Sequence, residues 1–285
     1  MDLELTVNST RVPRFIYGTA WKEDYTRELV GKALASGFTG IDTANQRKHY
    51  FEAAVGQALQ DAYGNSNLKR EDIYLQTKFT FLPGQDERLP YEADASITEQ
   101  VQQSFASSLE HLKTDYLDAY LLHGPMQREG LTDSDLEAWH AMEALYRSGQ
   151  IKLLGVSNFS ARQLEGLNHH AAIKPRLVQN RCFAVTGWDR DVRDVCQRHG
   201  IHYQGFSLLT ANPAIAEQQA FQNMVTRTGM TPAQVIFQAA LRMDMIVLTG
   251  TSSEQHMQED LDCLVAELSD DEVRVIESLL VHDQE

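Results

Sequence analysis

The chain has 285 residues, an apolar fraction of 42% and a formal charge of −15 at neutral pH. The apolar fraction predicts a globular protein with a sizeable core, and no uncharged apolar run is long enough for a membrane-spanning helix. The negative charge disfavours binding to nucleic acid or to an anionic membrane over a large surface. An anionic ligand would therefore need a local site.

The N-terminus and the cysteines favour a cytoplasmic location. Residues 1–5 are acidic and do not resemble a signal peptide. The three cysteines, Cys182, Cys196 and Cys263, are few, odd in number and far apart. This usage is typical of a reducing compartment, and the spacing predicts no metal site.

The chain begins with a predicted β-hairpin around 8–10, and eight strand-helix units follow it. Short apolar strands are predicted at 15–18, 38–42, 73–78, 116–122, 151–156, 177–179, 201–206 and 245–248. Helices are predicted at 24–35, 51–62, 98–112, 134–147, after 160, at 191–198, between 214 and 242, at 254–264 and after 269. Ser160 with Gln163 predicts a capping box, and Thr231-Pro232 predicts a helix start.

This alternation predicts one domain, residues 1–285, with the α/β fold of a closed (β/α)8 TIM barrel preceded by the hairpin. An open doubly wound sheet is the competing fold. Against it, no G-x-G-x-x-G follows the first repeating strand, and the polar residues are spread over many strand ends.

Three ionisable residues follow apolar strands and should meet at the carboxyl end of the barrel: Asp42, Lys78 and His123. Tyr50 is the nearest phenol in the sequence. We expect Asp42 to keep Lys78 charged and Lys78 to lower the pKa of Tyr50. Tyr50 could then protonate a carbonyl oxygen that is receiving a hydride, with His123 orienting that carbonyl. Separately, each residue could instead be structural, as an ion pair, a core histidine or a packed tyrosine.

Six motifs distributed along the chain carry a family resemblance. They are Gly18-Thr19 with Trp21, I-D-T-A at 41–44, T-K-F at 77–79, D-A-Y-L-L-H-G-P at 118–125, G-V-S-N-F at 155–159 and G-T-S-S at 250–253. Together they make the sequence resemble the aldo-keto reductases. The resemblance implies a barrel that transfers a hydride from a nicotinamide cofactor, usually NADPH, to an aldehyde or ketone. It also implies a catalytic tetrad of Asp42, Tyr50, Lys78 and His123.

The loop that carries the tyrosine departs from the family pattern. The interval from Asp42 to Glu52 is two residues longer than usual in the family. Counting back from Glu52 places His49 at the tyrosine position, whereas counting forward from Asp42 places Arg47 there. Because loops tolerate insertions, we expect Tyr50 to reach the acid position, with His49 as the alternative.

The resemblance also assigns a cofactor site. Ser157, Asn158 and Gln179 would hold the carboxamide, Phe206 would stack on the nicotinamide, and Gly250, Thr251 and Ser252 would face phosphate. Further cofactor contacts are implied for Gly18, Thr19, Asp42, Ser207, Leu209, His256, Glu259 and Asp260.

The expected cofactor is NADP(H), with NAD(H) possible. Counting through the segment after strand eight places Gly250 at the position of the lysine that usually binds the 2′-phosphate and His256 at that of the arginine. We therefore expect only a modest preference for NADPH over NADH, and we expect protonation of His256 at low pH to increase it.

The substrate would be a small carbonyl compound bound by Trp21, Tyr50 and His123, in a wide mouth because the chain stops soon after the helix that begins at Ser269. The oligomeric state is not predicted. The alternative function is a sensor or regulatory subunit that binds a nicotinamide nucleotide with little turnover, if the Tyr50 loop is misplaced.

Overall fold

The structure is a computed structural model that describes residues 3–263 and 268–281. The strands within those residues are β1 Glu4–Val7, β2 Thr10–Pro13, β3 Phe15–Gly18, β4 Gly40–Asp42, β5 Tyr74–Phe79, β6 Leu117–Leu122, β7 Ile151–Ser157, β8 Leu177–Arg181, β9 His202–Phe206 and β10 Ile246–Thr249. The α-helices are α1 Thr26–Ser36, α2 Glu52–Asn65, α3 Ile97–Leu112, α4 Asp133–Arg147, α5 Ala161–His170, α6 Arg190–His199, α7 Gln219–Thr228, α8 Pro232–Arg242, α9 Glu254–Asp262 and α10 Asp270–Ser278.

Strands β3 to β10 form a closed parallel barrel, and this confirms the predicted fold. Each strand pairs with the next along the chain, and β10 closes the barrel on β3. The hairpin of β1 and β2 is antiparallel and contributes Val7 and Val12 to the same apolar cluster as the barrel-interior residues Ile16, Leu121 and Leu153. The hairpin therefore packs on the barrel interior.

The strand register brings the polar strand ends to one level. Gly18 pairs with Asp42, Asp42 pairs with Gln76, and Ser157 pairs with Gln179. In parallel strands, residues paired in this way lie at the same height, so the carboxyl ends of β3, β4, β7 and β8 share one edge. The larger apolar cluster lies between this barrel and the surrounding helices.

The predicted and observed helix ends differ by more than one residue in three places. A 3-10 turn, Glu23–Tyr25, precedes α1, so that α1 begins at Thr26 and not at Asp24. Helix α2 continues to Asn65, and α9 ends at Asp262, whereas residue 264 of the predicted helix lies outside the described residues. The capping box at Ser160 and the helix start at Thr231-Pro232 are confirmed. Within the described residues, no helix combines the length and apolarity that a membrane crossing needs.

Helix α2 packs closely on the end of α3 through Gly56. A Cβ atom at Gly56 would lie 2.0 Å from the carbonyl oxygen of His111 and 2.9 Å from Cα of Leu112. Gly64 lies on the same helix, and a Cβ there would have no neighbour within 4 Å.

We expect Gly56→Ala and Gly64→Ala to change stability in opposite directions. Gly56→Ala should lower the free energy of unfolding by about 1–3 kcal/mol, because two backbones must separate. Gly64→Ala should raise it by about 0.5–1 kcal/mol, because alanine restricts the unfolded chain and favours the helix. Urea unfolding of both variants is the measurement, and equal effects would contradict the close packing.

Candidate functional site

A groove of about 850 Å³ lies at the carboxyl end of the barrel. It is lined by most of the residues assigned from the sequence, namely Gly18, Trp21, Asp42, Tyr50, His123, Ser157, Asn158, Gln179, Phe206, Ser207, Leu209, Gly250, Thr251, His256, Glu259 and Asp260. Thr19, Lys78 and Ser252 do not line it. Thr19 is buried and its hydroxyl donates to the carbonyl oxygen of Asp42, 3.0 Å away, whereas Ser252 is exposed.

A fully buried ion pair lies beneath the groove. The ammonium nitrogen of Lys78 is 2.7 Å from both carboxylate oxygens of Asp42 and 2.8 Å from the carbonyl oxygen of Thr43. The side chains of Lys78 and Asp42 are only 0% and 4% exposed. Burial lowers the pKa of Lys78, and the neighbouring Asp42 opposes this shift. All three N–H groups of the ammonium are directed at oxygen atoms of Asp42 and Thr43.

Tyr50 lies beside the ion pair, but its phenol is not bonded to it. The ammonium of Lys78 is 5.2 Å from the centre of the Tyr50 ring, which is a cation–π arrangement. Burial, and to a smaller extent Asp42, raise the pKa of Tyr50. The expectation of a lowered pKa is therefore wrong for this structure, because burial removes the water that would stabilise the phenolate and Asp42 adds a negative charge nearby. Tyr50 is a protonated hydrogen-bond donor at neutral pH.

His123 faces Tyr50 across the groove. The two rings are edge to face, with centroids 5.8 Å apart. Nδ1 of His123 is 2.6 Å from the hydroxyl oxygen of Thr80, so Nε2 is the nitrogen available to a ligand. Burial, followed by the positive charges of Lys78 and His49, lowers the pKa of His123 well below its ordinary value. The imidazole is therefore neutral.

His49, the alternative acid, lies apart from this group. Its ring stacks on Trp21 with centroids 3.9 Å apart, and its carbonyl oxygen accepts from the backbone N–H of Trp21. His49 does not line the groove, whereas Tyr50 does. The geometry therefore favours Tyr50 over His49 as the residue nearest Asp42, Lys78 and His123.

Ser157, Asn158 and Gln179 form a connected set at the ends of β7 and β8. The hydroxyl of Ser157 donates to the carbonyl oxygen of Gln179 at 2.6 Å, and the Asn158 amide donates to the carbonyl oxygen of His123 at 2.8 Å. Asn158 has a left-handed φ of 58°, which asparagine tolerates better than most residues. The Gln179 amide nitrogen donates to Asp42 at 2.9 Å. These contacts link the amide cluster to the ion pair.

Phe206 ends β9 at the edge of the groove, and the next loop continues along it. Ser207 has a left-handed φ of 56°, and Leu209 is 37% exposed. An aromatic ring at a groove edge can stack on a flat heterocycle.

The other end of the groove is formed by the segment between β10 and α9. The hydroxyl of Thr251 accepts a hydrogen bond from the backbone N–H of Ser253. The side-chain hydroxyl of Ser253 caps α9 by accepting from the backbone N–H of His256. Asp260 is buried and accepts from the hydroxyl of Thr249 at 2.7 Å. Burial raises the pKa of Asp260 to about 6, opposed by that hydrogen bond and by His256.

Several contacts were missed by the sequence analysis. Lys22 donates to the carbonyl oxygen of Gly250, because β3 and β10 are paired and the loop after β3 lies next to that segment. Thr80 holds His123, and Gln76 and Gln204 contact the ion-pair region. A period of two along a strand would have indicated Gln76, which precedes Lys78 on the same side of β5. Proximity of Lys22 to Gly250 required the closed barrel.

Comparison with known proteins agrees with this architecture. The model of the aldo/keto reductase family matches residues 15–281. The chain is 29% identical over 274 residues to the glyoxal reductase of Bacillus subtilis, covering 95% of this chain and 90% of the relative. It is 28% identical over 251 residues to a methylglyoxal reductase of Escherichia coli, covering 88% and 82% of the two chains. The aldose reductase structure from Schistosoma japonicum superposes with a TM-score of 0.84 at 25% identity, covering 100% of this chain and 94% of that one.

The ion pair predicts a non-additive effect on stability. Lys78→Met leaves the Asp42 carboxylate buried without a cation and should cost about 3–5 kcal/mol. The double variant Asp42→Leu/Lys78→Met removes both charges and should be more stable than Lys78→Met alone. Urea unfolding of the single and double variants measures the coupling. A double variant less stable than Lys78→Met would show that the charge left without a partner is not the source of the cost.

Proposed function

We propose that this chain, which belongs to the aldo/keto reductase family, reduces an aldehyde or ketone to an alcohol with a nicotinamide dinucleotide. The observation that carries the proposal is the convergence of Asp42, Tyr50 and His123 on one groove, with Lys78 buried against Asp42 and Tyr50. The edge-to-face arrangement of Tyr50 and His123, with ring centroids 5.8 Å apart, supports a reacting carbonyl that both residues can reach.

The residues present fit a nicotinamide cofactor. When bound, the cofactor would supply the hydride. Gln179 offers an amide oxygen to a carboxamide, Asn158 and Ser157 lie next to it, and the Phe206 ring is at hand for stacking. The α9 N-terminus and the Thr251 segment lie at the opposite end, where backbone N–H groups suit phosphate.

Tyr50 is proposed as the general acid. Because burial raises its pKa, the phenol stays protonated until it meets a carbonyl oxygen. As negative charge develops on that oxygen, the phenol donates its proton, and the Lys78 ammonium 5.2 Å from the ring stabilises the phenolate that forms. The neutral His123 orients the carbonyl through Nε2. Asp42 holds Lys78 in place.

Small aldehydes that carry a second carbonyl are the proposed substrates. The relatives named for glyoxal and methylglyoxal reduction support this class. Trp21 is 70% exposed at the mouth, which supports an open entrance suited to small compounds. A cytoplasmic location is part of the proposal, in agreement with three free buried cysteines.

A second candidate is a nucleotide-binding sensor with little turnover. It is favoured by one observation, namely that the three N–H groups of Lys78 are directed at Asp42 and Thr43 and not at the phenol of Tyr50. NADPH oxidation with a panel of aldehydes and ketones separates the two candidates. Saturable cofactor binding without oxidation of any of them would favour the sensor.

Tyr50→Phe tests the acid. We expect kcat with methylglyoxal to fall by about 10²–10⁴, the usual contribution of a general acid, with the cofactor Kd within a few-fold of the wild type. His49→Ala should keep most of the activity. The measurements are initial rates of NADPH oxidation and a binding titration. Full activity in Tyr50→Phe, or loss of activity only in His49→Ala, would exclude Tyr50 as the acid.

NADP(H) is the proposed cofactor, with a modest preference over NAD(H). Gly250 leaves no side-chain cation of its own, but Lys22 reaches its carbonyl oxygen. A Cβ at position 250 would lie 3.7 Å from the Lys22 ammonium, so Lys22 supplies positive charge where a lysine at 250 would begin. His256 is exposed on the same side. Glu259 and Asp260 oppose this charge.

Lys22→Met tests this choice. The ratio of kcat/KM for NADPH to that for NADH should fall by about tenfold, the effect of losing one charged hydrogen bond. Lys69→Met is the control, because Lys69 is paired with Glu71 just before β5, at the amino end of the barrel. An unchanged ratio in Lys22→Met, or preference of the wild type for NADH, would contradict the assignment.

A further inference from the structure

Three glutamine side chains fill the barrel interior below the groove. Gln76 on β5 and Gln204 on β9 are 0% exposed, and Gln179 on β8 is 3% exposed. Buried amides are unfavourable unless their hydrogen bonds are made. The residues around Ile16, Leu121 and Leu153 show that apolar side chains fill another part of the same interior. The polar layer therefore needs a reason beyond filling space.

The three amides form a connected network with Asp42. The Gln76 nitrogen donates to Asp42 at 2.6 Å and to the Gln204 oxygen at 2.9 Å. The Gln179 nitrogen donates to Asp42 at 2.9 Å and to the same Gln204 oxygen at 3.0 Å. The Gln204 nitrogen donates back to the Gln76 oxygen at 3.0 Å.

Chemistry fixes the direction of every bond in this network. The Asp42 carboxylate, paired with Lys78, only accepts, so Gln76 and Gln179 must turn their nitrogens toward it. The Tyr74 hydroxyl donates to the Gln76 oxygen at 2.8 Å and holds that amide in the same orientation from below. The Gln204 oxygen is then the acceptor that both nitrogens share.

These bonds fix which end of the Gln179 amide faces the groove. Both hydrogens of its amide nitrogen are used, by Asp42 and Gln204. Its oxygen accepts from no protein group among residues 3–263 and 268–281, and Gln179 lines the groove. The groove is thus offered an acceptor, which matches the NH₂ group of a primary carboxamide.

We propose that Gln76 and Gln204 are positioning residues that lock the Gln179 amide with its oxygen toward the groove, so that the site selects a carboxamide-bearing pyridine ring. The inference rests on the proposed function, since the ligand is the nicotinamide cofactor. Gln76 and Gln204 do not touch that ligand. They act through Gln179 and, by the bond from Gln76, through Asp42.

The test compares two dinucleotides by calorimetric titration. One is NADP⁺, and the other is its 3-acetylpyridine analogue, which keeps the carbonyl oxygen but has a methyl group in place of NH₂. The wild type should bind NADP⁺ about tenfold more tightly than the analogue, because only the carboxamide donates to Gln179.

Gln204→Met should reduce this ratio to about twofold, because the Gln179 amide loses one of the two bonds that fix it. Leu153→Met, inside the barrel on β7, is the control for a changed core and should leave the ratio unchanged. Tyr74→Phe removes only a hydroxyl and preserves shape, so it tests the same network if Gln204→Met does not fold. Its ratio should fall by about two- to threefold.

The outcomes separate this inference from the proposed function. Equal affinity of the wild type for both dinucleotides would overturn the inference. An unchanged affinity ratio in folded Gln204→Met, or in Tyr74→Phe if Gln204→Met does not fold, would also overturn it. Each of these results leaves the reductase proposal standing. A wild type that binds neither dinucleotide overturns the proposed function, and this inference with it.

Discussion

Burying the ammonium of Lys78 and the carboxylate of Asp42 in the barrel removes both from water, and the local structure is arranged around that cost. Each charge is compensated by the other, and the remaining bonding capacity is met by the carbonyl of Thr43 and by two glutamine amides. Because the pair cannot shift without breaking several of these bonds, it gives the groove a fixed floor.

The electrostatics of the groove follow from this floor. Lys78 places a positive charge near the Tyr50 ring and His123, while burial keeps the phenol protonated and the imidazole neutral. A protonated phenol and a neutral imidazole beside a buried cation suit an oxygen that gains negative charge during reaction. The same arrangement would not stabilise a ligand on which no oxygen gains negative charge.

The proposed cofactor is anionic and would have to bind to a chain with a formal charge of −15. In this proposal, two local features would supply the attraction, namely the N-terminus of α9 and Lys22 beside Gly250. Asp260 reduces the attraction when it is ionised, and burial raises its pKa to about 6. The balance of these charges explains why we propose a modest preference for NADP(H) instead of a strong one.

The sequence by itself determined the barrel and the strand-end residues. Alternating apolar strands and capped helices require a βα repeat, and closure brings Asp42, Lys78 and His123 to one end whatever the details of packing. The family motifs added Ser157, Asn158, Gln179 and the segment after β10. These features depend on local sequence patterns, which can be recognised without the three-dimensional structure.

Tertiary structure alone decided how these residues face one another. Because of the two extra residues before Glu52, the sequence allows either Tyr50 or His49 at the acid position. The stacking of His49 on Trp21 and the position of Tyr50 beside Lys78 favour Tyr50. The direction of the Tyr50 pKa was wrong in the sequence analysis because burial depends on the whole surrounding fold. Likewise, the contacts of Gln76 with Gln204 and of Lys22 with Gly250 join residues from distant strands and loops, which no local pattern specifies.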